Sequence, residues 1–405
     1  MERKKRALFM ICQFLEEQGY QQTLKQLIAE SEFQYDAKSS DSCASGKLLA
    51  LIDDEMTDKE GKTRNKRSEL LSGDGNFVNE EYCVICGFAG SANVLASQLS
   101  SNGVLASSCS GTLLYTFELG NDFKASSVTT IPKSHPFHSA AVLCLDFHPT
   151  KKSLLLTGGM DGMVCLWDLE ASQIPLEHYK NHKKYVVRVK WSPSGRYFAT
   201  ASYDKSICIF RIKEEEASGF DLLKKLDHAG CVEAICFKKD TDVLIASVRD
   251  DNMLSIYDLA KENINECDQL NMNAFGDDYV SFNAMDLNIS PSGRYLLTST
   301  DQQRIILFDI NDGAQVANYY GVINDEYSQP RNCWHPSERY FYTTSDDNSI
   351  CVFEVSSGKI VQRLKGHEGR VRDLMFCNEF SLLVSSSYDS TVRMWHQNQD
   401  NSCRS

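Results

Sequence analysis

The chain has 405 residues, of which 42% are hydrophobic and 24% charged, and a formal net charge of -13. That length can bury more than one core, and no apolar run reaches the roughly 18 residues of a membrane span. The acidic balance argues against a general nucleic-acid binder, which needs a basic surface to release counterions. Fifteen cysteines, an odd number scattered along the chain, suit a reducing compartment better than a disulfide framework. The N-terminus MERKKRALFM lacks both a clean apolar stretch and a small-residue cleavage site, so secretion is not expected. A location in the cytoplasm, the nucleus or both follows, with proteins as partners and neither membrane nor nucleic acid among them.

The first predicted elements are two short amphipathic helices. Leu8, Ile11, Phe14 and Leu15 fall at helical spacing, Gly19 breaks the run, and Leu24, Leu27 and Ile28 resume it. Stripes this apolar are too large for so small a unit to bury alone. Phe14-Leu15, Gly19-Tyr20, Thr23, Leu27 and Glu30-Ser31 resemble the LisH motif, whose members commonly dimerise as a four-helix bundle. The resemblance implies a homodimer held by Leu8, Ile11, Phe14, Leu15, Tyr20, Leu24 and Leu27 in a segment spanning residues 1–33. The alternative is a helical hairpin packed onto the rest of the chain.

Residues 34–76 are rich in Ser, Asp and Lys and read as a flexible linker, with one short candidate helix at 47–56. The run Lys62 to Arg67 has the composition of a nuclear-import signal, although short basic clusters in linkers are usually just solvated.

From there a repeat takes over. A Ser or Thr is followed four positions on by a turn residue and six further by an aromatic, seven times. The aromatics are Phe117, Trp167, Phe210, Tyr257, Phe308, Phe353 and Trp395, at steps of 50, 43, 47, 51, 45 and 42 residues. A period near 45 marks units that cannot bury their faces alone and must stack. The copies His138 to Leu169 and Gly366 to Trp395 resemble WD repeats, and seven of them imply an all-β seven-bladed propeller over residues 77–396, with a tail at 397–405.

Each repeat supplies four short strands, for example VVRVKW, RYFATA, SICIFRI and FDLLKKL in the third. The chain ends ten residues after Trp395, too soon for a complete last blade. The alternating segment Glu81 to Gly87 is the candidate for its missing outer strand, which would close the ring and remove a free edge. The resemblance further implies a hydrogen-bonded tetrad of His, Ser or Thr, Asp and Trp within a blade. Two blades carry the full set, His138, Thr157, Asp161, Trp167 and His367, Ser385, Asp389, Trp395. Two more lack only the Trp: His182, Thr200, Asp204 with Phe210, and His228, Ser247, Asp251 with Tyr257. The other three lack the His, with Ala89, Val280 and Asp325 in its place.

No catalytic, metal or cofactor site is expected. The Asp, His and Ser recur at fixed places in several blades, as a folding device does and a single active site does not. Cys83 and Cys86 have CxxC spacing, but positions i and i+3 of a strand face opposite ways, and no second CxxC follows. No GxxxxGK[ST] loop is present.

Function is therefore expected on a rim, in a non-catalytic scaffold or adaptor that dimerises and recruits partners. WD-repeat proteins usually turn three positions per blade to their top face. Carried over, these are Ala141, Leu143 and Met160; Tyr185, Val187 and Tyr203; Cys231, Glu233 and Asp250; and Arg370, Arg372 and Tyr388. Blades five and six, without the His, offer Asn283, Asp301 and Asp346. Read as exposed, Glu233, Asp250, Asp301 and Asp346 form an acidic arc suited to a basic peptide, while Arg370 and Arg372 could clamp an acidic group. Relatives with the LisH and WD-repeat layout serve in chromatin corepressor complexes, dynein regulation and ubiquitin ligases. The alternative function, a ubiquitin-ligase substrate receptor or scaffold, often brings an Arg or Lys two residues after a repeat's terminal Asp. Asp168, Asp258 and Asp309 are followed there by Glu170, Ala260 and Asn311.

Overall fold

A computed structural model describes residues 11–13, 15–16, 20–31, 66–86, 88, 92–119, 133–171, 174–213, 219–261, 264–273, 280, 282–325 and 327–398. The chain divides into two compact units, Met1–Ser68 and Glu69–Ser405.

In the first unit the helix Gln21–Ser31 forms where the apolar spacing predicts it. It starts just after Tyr20, whose amide donates to the Leu15 carbonyl at 2.8 Å while its own carbonyl accepts from Leu24. Gln26 and Glu30 bond one turn apart, at 3.0 Å. Residues 11–13 and 15–16 are also helical. Leu24 is buried, Leu15 and Leu27 are half-buried, and Ile11 and Tyr20 are exposed. Cys12, which the apolar stripe did not include, is fully buried. Leu8, Phe14 and the candidate helix at 47–56 lie outside the described residues.

The second unit is a ring of seven four-stranded antiparallel sheets. Their first strands, Val94–Leu99, Val142–Phe147, Val186–Trp191, Val232–Phe237, Ala284–Ile289, Asn332–Trp334 and Val371–Cys377, neighbour one another in turn, and the last meets the first. Because each blade is covered on both faces, its middle strands are buried almost without alternation, as in Tyr197–Ser202 and Ser206–Ile212 of the third. The repeat's aromatic lies in the third strand and packs across to the second. Phe210 stacks on Phe198 at 4.4 Å between ring centres, and Phe353 on Phe341 at 4.9 Å. The first-to-second strand turn needs a left-handed residue, which Gly195 supplies at φ 68° and Gly293 at φ 83°.

The strand Glu80–Ile85 pairs with Val392–His396 and completes the seventh sheet. Cys83 and Ile85 are buried in this seam, Glu81 forms an ion pair with Arg393, and Tyr82 sits edge-on to His396. The expectation of a flexible linker out to residue 76 is corrected here. From Glu69 onward the chain is strapped to blades five and six. Glu69 bonds Arg294 at 2.6 Å, and Leu70 enters the core beside Tyr295 and Trp334. The amides of Gly73, Gly75 and Val78 donate to Glu354, Tyr340 and Tyr342 at 2.7, 2.7 and 3.0 Å. Each is a polar group that bonds only at one place in the fold, so composition alone did not reveal them.

Deleting residues 78–88 opens the seventh sheet and bares a long edge, so the deletion is expected to aggregate and to lose its cooperative melt. Size-exclusion chromatography with a thermal melt checks this.

Candidate functional site

The side chains expected to meet do so in three blades, all four members in the second and seventh and three in the third. In the second, His138 Nδ1 lies 3.2 Å from Asp161, its Nε2 lies 2.8 Å from Thr157 Oγ1, and Trp167 Nε1 donates to the same hydroxyl at 3.0 Å. Since Nδ1 faces a carboxylate it carries the proton. Nε2 then accepts from the threonine hydroxyl, which in turn accepts from the indole, so every polar atom in the chain of bonds is used once. The seventh blade repeats this with His367, Asp389, Ser385 and Trp395, each bond 2.8 Å long. The third has His182, Asp204 and Thr200, and with Phe210 in place of the indole its threonine lies 3.4 Å from the Cys208 carbonyl. Burial opposes ionisation of Asp161, but His138 and the amides of Met163 and Ser139 outweigh it and hold the group at about 2. Burial lowers both His182 and His367, against the pull of their carboxylates.

The fourth blade departs from expectation. Ser247 donates to the Ala284 carbonyl of the next blade at 2.8 Å and accepts from the Ala234 amide, while Asp251 accepts from the Met253 amide. His228 lies edge-on to Tyr257. A tyrosine ring presents no N–H where the indole would, and the serine bonds outward. In the fifth blade the indole and imidazole are replaced by Phe308 and Val280, and the buried Thr298 hydroxyl has no hydrogen-bond partner among the described residues.

The tetrads fix the loops of one face. Turns between second and third strands are tied to blade entrances by backbone bonds, from Met160 to Ala141, Tyr203 to Tyr185, Arg249 to Cys231, Asp301 to Asn283 and Tyr388 to Arg370. Just inside the entrance of six of the seven blades the first strand slips register at a β-bulge. The extra residues are Leu95, Leu143, Val187, Glu233, Met285 and Arg372. A bulge residue is left out of the ladder and re-aimed, and these six lie at the mouth, the entrance end of the first strands. Leu143 borders the channel cavity, Leu95 and Arg372 are half-buried, Val187 packs against the core of blades three and four, and Glu233 and Met285 are buried.

Below them the first strands place a charged network that single-repeat reasoning missed. Lys190 pairs with Asp146 at 2.9 Å, Arg188 with Asp286 at 3.5 Å, and Arg331 with Asp373 at 3.9 Å. The same carboxylates accept backbone amides of neighbouring blades, from Trp191, Asn332 and Ser97. Burial pushes Asp286 up to about 6, with Arg188 opposing, and raises Asp373. Arg188, Lys190, Asp286, Arg331 and Asp373 line a cavity of about 60 Å³ that Leu143 also borders. Aligning the seven first strands would have exposed them, since Arg188, Asp286 and Asp373 occupy one register position and Asp146 and Lys190 another.

With this geometry in hand, sequence comparison is decisive. A beta-propeller domain family model matches residues 91–307, more than half of the chain, and a WD domain, G-beta repeat model matches residues 331–354 and 358–396. The chain belongs to the WD-repeat beta-propeller family. Similar proteins include Pre-mRNA-processing factor 19 of Oryza sativa subsp. japonica, 28% identical over 46% of this chain and 34% of that protein. Histone acetyltransferase type B subunit 2 of Eremothecium gossypii is 30% identical over 30% of this chain and 28% of its own length. Transcriptional corepressor LEUNIG_HOMOLOG of Arabidopsis thaliana is 24% identical over 54% and 25%. The matches thus span about a third or less of these relatives. One of them is named for RNA processing, so the comparisons lend no support to the expectation that nucleic acid is excluded. Among the described residues, no helix is long and apolar enough to cross a membrane, and no cluster of three metal-ligating side chains occurs.

On the propeller's mouth-side face the expected acidic arc is corrected. Glu233 is buried and paired with Arg249 at 2.6 Å, and Asp301 is buried and accepts both the backbone and side-chain nitrogens of Asn283. Asp346 bonds Ser328 and lies 3.8 Å from Arg370, leaving Asp250 as the exposed member. A carboxylate beside an entrance loop finds a local donor before it finds a partner protein. The arginine clamp is corrected in part, because Arg370 pairs with Asp325 at 3.2 Å whereas Arg372 bonds the Gln329 amide oxygen. Met160, Tyr185 and Tyr388 are exposed, Tyr203 packs 6.2 Å from Tyr185, and Leu143 belongs to the channel wall.

Two outcomes follow. Thr157→Val strands an imidazole and an indole and is expected to cost about 1–3 kcal/mol, whereas Thr298→Val removes a hydroxyl without a described partner and is expected to be neutral or stabilising; chemical denaturation of the two variants compares them. His367 is held neutral in the folded protein, while the unfolded chain protonates it below about pH 6.5. Its contribution is full above that pH and shrinks as pH falls. His367→Asn should therefore lower the melting temperature most at pH above 7, with a deficit that narrows towards pH 5.

Proposed function

We propose that this chain is a non-catalytic adaptor that dimerises through its N-terminal helices and recruits partner proteins on the mouth-side face of its propeller, in the nucleus, the cytoplasm or both. The observation that carries the reading is the mouth itself. The half-buried bulge side chains Leu95, Leu143, Val187 and Arg372, free of the strand ladder and rimmed by exposed Met160, Tyr185 and Tyr388, form the kind of aromatic, locally polar surface that concentrates binding energy. The buried acids, bases and imidazoles around it are engaged in fold-holding bonds, which supports recognition over turnover. The printed names of the relatives, a histone acetyltransferase subunit, a corepressor and a pre-mRNA processing factor, favour work inside larger assemblies. The residues after the repeats' terminal aspartates give a ligase receptor no comparable support.

The dimer is supported by the helix at Gln21–Ser31 and by an apolar stripe whose Ile11 and Tyr20 stay exposed. Two propellers on one dimer raise the effective concentration of each for a bivalent target, so modest single-site affinities suffice. Sedimentation equilibrium of the full chain is expected to give twice 45.6 kDa at micromolar concentration and to give the single-chain mass for Leu27→Asp; a monomeric wild type would refute dimerisation. Affinity purification with mass spectrometry tests recruitment. Partners recovered with the wild type should be depleted by Tyr185→Ala combined with Tyr388→Ala, and an unchanged partner set would refute the face.

A further inference from the structure

The residues at the mouth also say what chemistry it recognises, and this step rests on the mouth-side face being the recruiting surface. Of the six bulge residues, Leu95, Leu143, Val187 and Met285 are apolar, Glu233 is neutralised by Arg249, and Arg372 carries the remaining charge. Charge balance in the channel runs the same way. Its three carboxylates, Asp146, Asp286 and Asp373, are matched by Lys190, Arg188 and Arg331. Arg372 is a fourth cation, and among the described residues it forms no ion pair, its bond going to the neutral oxygen of Gln329. Burial lowers its pKa, helped by Arg188 and only partly opposed by Tyr388 and Asp373. The rim adds exposed Lys183 and Lys184 beside Tyr185.

We infer that the mouth captures an acidic peptide segment, with an Asp or Glu carboxylate set on Arg372 and an adjacent apolar side chain seated on the collar of Leu95, Leu143 and Val187. A half-buried guanidinium bonded to an amide gains more from a carboxylate than a solvated lysine does, because much of its water is already displaced. The overall charge of -13 does not cancel this. Distant surface carboxylates are screened beyond about 8 Å at physiological salt, while a contact inside the mouth is not.

Selection of a displayed library of short random peptides on the full-length chain tests the inference. The enriched sequence, made as a labelled synthetic peptide beside its Glu→Gln or Asp→Asn counterpart, is then titrated by fluorescence anisotropy. Acidic sequences with a neighbouring apolar residue should be enriched. Arg372→Gln, or the amide counterpart peptide, should each lose about tenfold or more in affinity, Arg372→Lys should retain part of it, and the already paired Arg370→Gln should lose less. Enrichment of basic or uncharged peptides, affinity unchanged in Arg372→Gln, or no enrichment at all would overturn it. Thermal melts show whether Arg372→Gln still folds; Tyr388→Ala, at an exposed site, gives a second reading if it does not. If Tyr388→Ala weakens the peptide while Arg372→Gln leaves it intact, the face stands and the acidic chemistry falls. If neither matters, the face falls as well.

Discussion

The pairing of Glu80–Ile85 with Val392–His396 is the constraint on which the rest depends. A stack of sheets with two open ends has two unpaired edges and two half-covered faces, and each blade is too small to bury its own. Closing the ring converts seven marginal units into one cooperative body, at the cost of a contact that spans almost the whole unit. The strap from Glu69 to Val78 shares that task. It reaches blade five through Arg294 and blade six through Tyr340, Tyr342 and Glu354 before entering blade seven, so the seam is reinforced on both sides.

Within the ring, polar groups rather than apolar ones fix the loops. A His–hydroxyl–Trp relay costs little only when all its members are present, because each satisfies the next. The second and seventh blades have the whole set, and the third lacks the indole, its Thr200 hydroxyl bonding His182 with the Cys208 carbonyl 3.4 Å away. The fifth has lost imidazole and indole and retains the buried Thr298 hydroxyl. Blades are thus unequal in how firmly their entrance loops are held, although their sheets are alike.

Much of this was readable in the sequence. The 45-residue period, the strand order within a blade, the aromatic positions and the tetrads of His138, His182 and His367 all depend on short-range spacing, which the chain displays directly. The misread elements share a different property. Glu233, Asp301 and Asp346 looked like exposed carboxylates because their partners, Arg249, Asn283 and Ser328, can be assigned only once loops are folded against turns. The channel pairs join residues from different blades, and the Gly73, Gly75 and Val78 amides meet acceptors more than 260 positions away. Ser247 showed the converse error, a tetrad residue by spacing that the fold turns towards Ala284. Position in a repeat indicates where a side chain starts, and the neighbouring blade decides what it meets.

That division also explains how one scaffold can host distinct recognition chemistry. In the register of the sheets, a bulge residue has no partner across the strand, so exchanging its side chain leaves the ladder bonds and the stacked faces in place. The same six positions here hold Leu, Leu, Val, Glu, Met and Arg. The tetrads and turn clamps hold the backbone at the mouth, the channel pairs neutralise most of the charge beneath it, and chemical identity is left to residues outside the strand ladder. Arg372 is where those separate demands leave a residual charge at the mouth.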